Sequence, residues 1–299
     1  MSRAAVDELD PTRLGPQALA RYLRRHGLEA RKRHSQNFLV DPDVLAAIVE
    51  AAAPAPGRRI LEIGPGLGVL TGALLREGAR VTAVEVDPRM NGHLRGRHEA
   101  ELELAADDAE SAGGLRLVEA DILDIPIGDV IETPYDLVAN LPYHITSPVL
   151  HQALGEGPRP EHLVLMLQRE VAERIAAPPG GMSYLSVFVQ YHAAVRVART
   201  VPPEAFEPAP RVDSAVLVGR TRPRRLDKSR EDDLWRLVQA GFRERRKMVH
   251  NVLPRQLPAV GRDRFSAALA AVGVTPERRP QTLSVDEWLA LAGALGPLP

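Results

Sequence analysis

Residues 59–78 read RILEIGPGLGVLTGALLREG, an apolar run that passes through a glycine-rich turn into a helical pattern. The first five residues predict a short buried strand, and the residues after the turn predict a helix. The turn has Gly64, Gly66 and Gly68 at alternate positions, whereas dinucleotide-binding folds use the spacing G-x-G-x-x-G. Because glycine lacks a Cβ atom and accepts positive φ, this backbone can approach a ligand closely. The stretch therefore predicts a strand–loop–helix unit that binds a nucleotide-like ligand.

Apolar runs that alternate with helical patterns continue after this unit. Four of them predict further strands: Val81–Val86, Leu115–Ala120, Asp136–Ala139 and His162–Leu167. Such strands with helical crossovers are typical of an α/β fold with a parallel sheet covered on both faces. Ala194–Thr200 and Ser214–Val218 predict an antiparallel terminal hairpin that closes the sheet. Amphipathic stretches beyond it predict a small all-helical C-terminal domain, so we expect domains over residues 1–220 and 221–299.

The composition is that of a folded protein, with 44% of the 299 residues hydrophobic and 26% charged. No apolar stretch approaches the roughly 18 residues that a membrane span needs, and the N-terminal residues lack the apolar segment of a signal peptide. The chain has no cysteine, which excludes disulfides and thiolate metal sites. Its histidines are not at metal-ligand spacing. We therefore expect a cytoplasmic monomer with no metal site and no membrane segment.

Two acidic residues end the strands that follow the glycine loop. Glu85 ends the second strand, where a carboxylate can accept hydrogen bonds from a ribose diol. Asp121 ends the third strand, where it can meet an exocyclic amine. The carboxyl ends of parallel strands share one edge of a sheet, so these acids and the glycine loop predict a pocket for a ligand that contains adenosine.

The tetrapeptide Asn140-Leu141-Pro142-Tyr143 follows the fourth predicted strand, at the same edge. The N6 amine of adenine is a poor nucleophile because its lone pair is delocalised, so an enzyme that methylates it must hold the amine by hydrogen bonds. The Asn140 side-chain carbonyl and the Leu141 backbone carbonyl can accept its two N–H groups. Pro142 fixes the turn, and Tyr143 can stack on the base. These residues predict catalysis by positioning, with no metal.

The sequence resembles the ribosomal RNA adenine N6,N6-dimethyltransferases, which are class I S-adenosylmethionine-dependent enzymes. The resemblance covers nearly the whole chain and rests on six ordered segments: Ser35–Asp41, Leu61–Gly68, Val84–Asp87, Asn140–Tyr143, Phe206–Ser214 and Phe242–Lys247 with Asn251. It implies a Rossmann-like class I methyltransferase sheet and S-adenosylmethionine as the cofactor. Two departures are Ser35, where the family usually has glycine, and a longer acidic segment over residues 99–114.

The resemblance also implies roles for particular residues. Asn37 and Leu39 lie in a segment that caps the cofactor in this family, and Phe206 corresponds to a second aromatic residue that stacks on the base. The cofactor contacts expected in full are Asn37, Leu39, Gly64, Gly66, Gly68, Glu85, Asp121 and Asn140. The expected catalytic set is Asn140, Leu141, Pro142, Tyr143 and Phe206.

One branch of the family dimethylates two adjacent adenines near the 3′ end of small-subunit (16S) rRNA during 30S ribosome assembly. Another branch modifies a large-subunit adenine and confers macrolide resistance. The segments Arg245-Arg246-Lys247 and Arg279–Ser284 resemble the first branch. Alternatives are the large-subunit enzyme and an RNA-docking assembly factor without essential catalysis, while an NAD-dependent oxidoreductase is disfavoured by the glycine spacing.

Basic residues cluster at 21–33, 220–225 and 243–247, although the net charge is −1. Clustered cations outside the predicted catalytic motifs favour contact with RNA phosphates, and the last cluster is predicted to lie on a helix. We expect the partner to be rRNA in the pre-30S small subunit. The expected RNA contacts are Arg31, Lys32, Arg33, Arg222, Arg243, Arg245, Arg246 and Lys247.

Overall fold

The computed structural model describes Leu14 and residues 16–30, 36–102 and 113–299. Its strands are β1 (Phe38–Leu39), β2 (Arg59–Ile63), β3 (Arg80–Glu85), β4 (Leu115–Glu119), β5 (Asp136–Asn140), β6 (His162–Gln168), β7 (Ala193–Val201), β8 (Phe206–Glu207) and β9 (Ser214–Thr221). Its α-helices are α1 (Pro16–His26), α2 (Pro42–Ala52), α3 (Val69–Arg76), α4 (Pro88–Arg97), α5 (Ile127–Val130), α6 (Thr146–His151), α7 (Arg169–Ile175), α8 (Tyr184–His192), α9 (Lys228–Phe242), α10 (Val249–Gln256), α11 (Arg262–Ala271) and α12 (Val285–Leu295).

The central sheet has seven strands in the order β4-β3-β2-β5-β6-β9-β7. Strands β2 to β6 pair in parallel, and β9 pairs antiparallel with β6, with Ser214 opposite Gln168. The α/β fold with a parallel sheet and an antiparallel edge is therefore confirmed. The strand order reverses at β2, so a crevice opens between the carboxyl ends of β2 and β5, where ligands bind in such sheets.

A second, two-stranded sheet joins the segment before α2 to the segment before β9. Strand β1 pairs antiparallel with β8, with Phe38 opposite Glu207 and Leu39 opposite Phe206. The Val40 N–H also donates to the Ala205 carbonyl at 2.9 Å. This pairing fixes the position of residues 36–40 beside the edge of the main sheet that carries the glycine loop.

The chain divides into two compact units. The first contains residues up to Ala172 together with Arg196–Thr221, and the second contains Glu173–Val195 with Arg222–Pro299. The core of the second unit includes Tyr191 and Val187 of α8 with the C-terminal helices, which is why Glu173–Val195 groups with those helices. The domain boundary near residue 220 stays a prediction. No helix among the described residues is long and apolar enough to cross a membrane.

The basic residues 243–247 do not lie on a helix, so that prediction was wrong. Helix α9 ends at Phe242, and α10 begins at Val249. The turn between them is held from outside, because the Glu244 carboxylate accepts hydrogen bonds from Arg255 and from the Gln256 side chain. These contacts link the turn to α10 and stabilise a conformation in which α9 does not continue beyond Phe242.

Candidate active site

A cavity of about 260 Å³ opens at the carboxyl edge of the parallel strands. Its walls come from the glycine loop after β2, the ends of β3 and β4, the turn after β5, and the segment around β1. Ten of the residues predicted from the sequence line it: Asn37, Leu39, Gly64, Gly66, Glu85, Asp121, Asn140, Leu141, Pro142 and Tyr143. The structure therefore brings the predicted nucleotide pocket and the predicted catalytic tetrapeptide into one cavity.

The glycines of the loop after β2 have a left-handed backbone. Gly64 and Gly66 have φ of +68° and +56°, a region that side chains with a Cβ atom rarely adopt. A Cβ atom on Gly66 would lie 3.3 Å from the Phe38 ring, and one on Gly64 would lie 3.5 Å from Pro142 Cδ. Side chains at these two positions would strain the loop and crowd the cavity wall.

Glu85 is anchored by backbone groups on both sides. One of its oxygens accepts from the Gly66 N–H at 3.1 Å, and the other accepts from the Asp87 N–H at 2.9 Å. Burial raises the pKa of this carboxyl, and the two hydrogen bonds oppose that shift. The side chain is thus oriented into the cavity wall, directly beside the glycine loop, where it can receive hydroxyl groups of a ligand.

Glu62 lies beneath the glycine loop and lines the same cavity. It is 2% exposed, and its carboxylate accepts from the Thr71 hydroxyl at 2.7 Å. Burial raises the pKa of Glu62 to about 8, and the nearby charge of Glu85 adds to the shift. Near neutral pH this group therefore holds a proton that an exposed glutamate would release.

Asp121 lies at the end of β4, half-buried in the cavity wall. One carboxylate oxygen accepts from the Leu123 N–H at 3.0 Å. Val86, at the end of β3, lines the cavity with 43% of its surface exposed. The Asp121 carboxylate can accept a hydrogen bond from the edge of a purine, and the Val86 side chain can pack against its face.

The side-chain amide of Asn140 donates to the backbone carbonyl of Asn37 at 3.4 Å. This hydrogen bond commits the amide nitrogen, so the oxygen Oδ1 is the acceptor that remains for a ligand. Asn37 precedes β1, which pairs with β8. The orientation of Asn140 thus depends on the segment that forms the opposite wall of the cavity.

Tyr143 is fixed by its hydroxyl group, a feature that the sequence did not reveal. Its hydroxyl and the Ser214 hydroxyl form a hydrogen bond of 2.8 Å, and Ser214 is fully buried at the start of β9. Burial raises the pKa of Tyr143, which keeps the phenol neutral. Ser214 belongs to the Phe206–Ser214 motif. No local sequence pattern predicts its contact with Tyr143, because the two residues are 71 positions apart.

Two predicted residues do not line the cavity. Gly68 caps α3 with φ of +75°, and a Cβ atom there would lie 2.5 Å from Leu94 Cδ2. The absence of a side chain at this glycine therefore lets α3 pack closely against α4, and its predicted contact with the cofactor stays a prediction. Phe206 is 3% exposed and packs in the hydrophobic core, because its strand β8 pairs with β1. Its stacking on a base stays a prediction.

The expected RNA contacts that the structure describes are not among the residues that line this cavity. Arg222 is exposed and donates to the Gln190 carbonyl at 3.1 Å, and Arg243 donates to the Gln256 side chain at 3.1 Å. Arg245, Arg246 and Lys247 are exposed in the turn between α9 and α10. The remaining three, Arg31, Lys32 and Arg33, lie outside the described residues, as do Ser35 and most of the acidic segment.

Within residues 16–30, 36–102 and 113–299, no three or more His, Asp or Glu side chains come together in a group that could hold a metal ion.

Comparisons with known proteins agree on one family. The model of the family described as ribosomal RNA adenine dimethylase matches residues 27–295. A protein named ribosomal RNA small subunit methyltransferase A, from Anaeromyxobacter sp. (strain K), is 43% identical over 294 residues, which cover 94% of this chain and 98% of that protein.

Two solved structures are similar along most of the chain. The crystal structure of 23S rRNA methyltransferase ErmE has a TM-score of 0.66 and 29% identity, over 87% of this chain and 99% of that one. The crystal structure of a dimethyladenosine transferase from Plasmodium falciparum has a TM-score of 0.70 and 25% identity, over 85% of this chain and 95% of that one.

Proposed function

The chain belongs to the ribosomal RNA adenine dimethylase family, and from that membership we propose that it transfers methyl groups from S-adenosylmethionine to N6 of adenines in small-subunit rRNA. The substrate is two adjacent adenines near the 3′ end, modified during assembly of the subunit. The name of the relative with 43% identity supports the choice of subunit. We include a cytoplasmic location in this proposal, because the protein has to reach the subunit that carries the proposed substrate.

The observation that carries the proposal is that Asn140 and the glycine loop line one cavity. An acceptor for an amine and a cradle for a nucleotide-like cofactor therefore lie within reach of each other. Methyl transfer requires this arrangement, because the amine must meet the methyl group directly.

The residues present fit S-adenosylmethionine. The carboxylate of Glu85 would accept the ribose hydroxyls, Asp121 would meet the exocyclic amine, and Val86 would cover the adenine face. Gly64 and Gly66 leave free the space that Cβ atoms would fill. The bound cofactor would supply an electrophilic methyl group on a sulfonium sulfur.

The protein's own residues act on the target adenine. Oδ1 of Asn140 and the Leu141 carbonyl accept the two N–H groups of the amine and favour a tetrahedral nitrogen. Tyr143 stacks on the base and excludes water from one face. Positioning and fixed dipoles lower the barrier in this scheme.

The exposed cations of the second unit hold the RNA in this proposal. Arg245, Arg246 and Lys247 project from the turn between α9 and α10, where phosphates can reach them. Phosphate contacts of this kind position the substrate without reading its sequence.

The test is transfer of labelled methyl groups from S-adenosylmethionine to purified ribosomal subunits that lack the modification. We expect label on small-subunit rRNA and none on large subunits. The similarity to ErmE makes the large subunit the second candidate, so label found only there would overturn the choice of subunit. Tight binding to small subunits without transfer would instead favour the docking factor.

A further inference from the structure

Helix α1 has two faces of opposite character. Leu19 and Leu23 are buried in the core of the first unit. Arg21, Arg24 and Arg25 are exposed, and the spacing i, i+3, i+4 places all three on the face away from those leucines. The helix therefore presents a cationic face while its apolar face packs.

Among the described residues, the three guanidinium groups have no anionic partner. Helix α1 contains no acidic residue, and within the described ranges no carboxylate forms an ion pair with Arg21, Arg24 or Arg25. Cations in the last turn of a helix interact favourably with its dipole, which accounts in part for Arg24 and Arg25. Arg21 lies a turn earlier, where that effect has decayed.

The C-terminal end of α1 is tied to the main sheet through Arg89. This side chain donates to the carbonyls of Gly27 at 2.7 Å and Glu29 at 3.4 Å. The same guanidinium forms an ion pair of 2.6 Å with the fully buried Asp87. The two carbonyl contacts hold the chain directly after α1, so the cationic face of the helix has a defined position.

The anchor is continuous with the wall of the active site. The Asp87 N–H donates to Glu85, and the side chain of Gln36 donates to Asp87 at 3.4 Å. Both Glu85 and Gln36 line the cavity. The chain directly after α1 is thus linked through Arg89 and Asp87 to Glu85, the expected cofactor contact at the end of β3.

We infer that Arg21, Arg24 and Arg25 form a phosphate-binding surface for the RNA substrate on the catalytic unit itself. The inference rests on the proposed function, because that function supplies the polyanion. It narrows the expectation for the basic cluster at 21–33 to one face of α1, on the unit that contains the cavity for the proposed target adenine.

The test compares two variants with equal loss of charge. The test variant is Arg21→Gln/Arg24→Gln/Arg25→Gln, and the control is Arg76→Gln/Arg230→Gln/Arg262→Gln, which removes three arginines from other helices or helix ends. Binding to unmethylated small subunits is measured over a range of salt concentrations, with S-adenosylmethionine affinity measured by calorimetry and folding by circular dichroism.

We expect the test variant to lose about tenfold in affinity for subunits and to lower the log–log salt slope by about two to three, because each phosphate contact releases counterions. Its affinity for S-adenosylmethionine should stay unchanged, and the control should bind as wild type. Affinity and slope equal to those of the control would overturn the inference. Tighter binding by the test variant would also overturn it.

The two claims fail separately. If wild type transfers no methyl group to any subunit, the proposed function fails. If wild type transfers methyl groups and the test variant matches the control, only the role of α1 fails.

Discussion

Asn140 joins the two halves of the cavity through one amide group. The side-chain nitrogen of Asn140 donates to the Asn37 carbonyl, 103 residues earlier in the sequence. This hydrogen bond leaves the side-chain oxygen as the acceptor for the proposed substrate. A carbonyl oxygen without that restraint would rotate among several orientations. The orientation of the Asn140 side chain therefore depends on the position of the segment that contains Asn37 and β1.

Asn140→Ala should separate binding from chemistry. We expect S-adenosylmethionine affinity to stay within a few-fold, while methyl transfer falls by about two orders of magnitude, as for loss of a positioned polar group in an active site. Single-turnover transfer and calorimetry measure the two quantities. Transfer at the wild-type rate would remove Asn140 from the mechanism.

The hydrogen bond between Tyr143 and Ser214 predicts a positioning role for a serine outside the tetrapeptide. Ser214→Ala should raise the KM for RNA about three- to tenfold with a smaller effect on kcat, since a neutral hydrogen bond contributes about 0.5–1.5 kcal/mol. Tyr143→Phe should have a similar effect, and the double variant should be no worse than either.

Tyr143→Ala, which removes the ring, should cost more, about 1–3 kcal/mol of stacking. Ser229→Ala, at an exposed serine of α9, is the matched control and should behave as wild type. Additive effects in the double variant would show that the two hydroxyls act independently, and the positioning role would be lost.

Glu62 predicts a pH dependence of stability. Its folded-state pKa of about 8 lies above the ordinary value of 4.5, so between these values the folded protein keeps a proton that the unfolded chain releases. The associated stability is present below about pH 4.5 and is lost as the pH rises towards 8. Relative to Glu62→Gln, wild type should lose up to about 1.4 kcal/mol per pH unit in this window.

Urea unfolding at several pH values measures this difference. The control is Glu50→Gln, at an exposed glutamate of α2, which should follow the wild-type pH dependence. Parallel curves for wild type and Glu62→Gln would contradict the raised pKa.

At the scale of elements, the turn that connects β2 to α3 contains glycines with different tasks. Gly64 and Gly66 face the cavity, whereas Gly68 lies against α4. Two glycines with nearly equal φ allow the packing effect to be compared: Gly68 has φ of +75° and lies against Leu94, and Gly57 has φ of +76° with open space around it.

Gly68→Ala should therefore destabilise the protein more than Gly57→Ala. Both substitutions strain the backbone by about 1–2 kcal/mol, but Gly68→Ala also forces a methyl group against Leu94, which adds about 1–3 kcal/mol. Chemical denaturation gives the difference. Equal destabilisation would mean that Leu94 moves aside without cost.

The elements that the sequence predicts well are those with a local cause. The five parallel strands are short apolar runs with helical crossovers, and each lies within about a residue of its expected place. The break between Phe242 and Val249 has a tertiary cause, because Glu244 contacts residues of α10 that are 11 and 12 positions away. The apolar periodicity of the sequence does not change at this break, so it predicts a helix through residues 243–247.

The residues of the site also divide into those that a local pattern predicts and those that depend on tertiary contacts. Glu85, Asp121 and Asn140 could be predicted because strand ends converge at one edge in a parallel sheet. The packing of Gly68 against Leu94 and the burial of Phe206 behind β1 depend on segments that lie far apart in the sequence. Spacing alone does not separate a ligand contact from a packing contact.

At the scale of the whole molecule, charge is divided between tasks. The catalytic cavity carries acids and amides, while exposed cations lie on α1 in the first unit and in the turn 243–247 in the second. In the proposed function, attraction to RNA and chemistry on the base therefore depend on different residues, and we expect that they can be altered separately.

Replacing Arg243, Arg245, Arg246 and Lys247 together by Ala should weaken binding to small subunits and flatten its salt dependence. The slope should fall by about one for each of these cations that neutralises a phosphate in the wild-type complex. The fold should survive, because exposed charges contribute little to stability. Filter binding at several salt concentrations is the measurement, and unchanged cofactor affinity is the control. A wild-type slope would mean that this turn does not touch RNA.

Mass mapping of the methylated product is the decisive measurement of whether the protein dimethylates adenines of small-subunit rRNA. Unmethylated small subunits are incubated with the protein and labelled S-adenosylmethionine, and the 3′ fragment of the rRNA is analysed for modified nucleosides. We predict N6,N6-dimethyladenosine at two adjacent positions of that fragment and unmodified adenine elsewhere. Full incorporation of label with no dimethyladenosine in the 3′ fragment would contradict the claim.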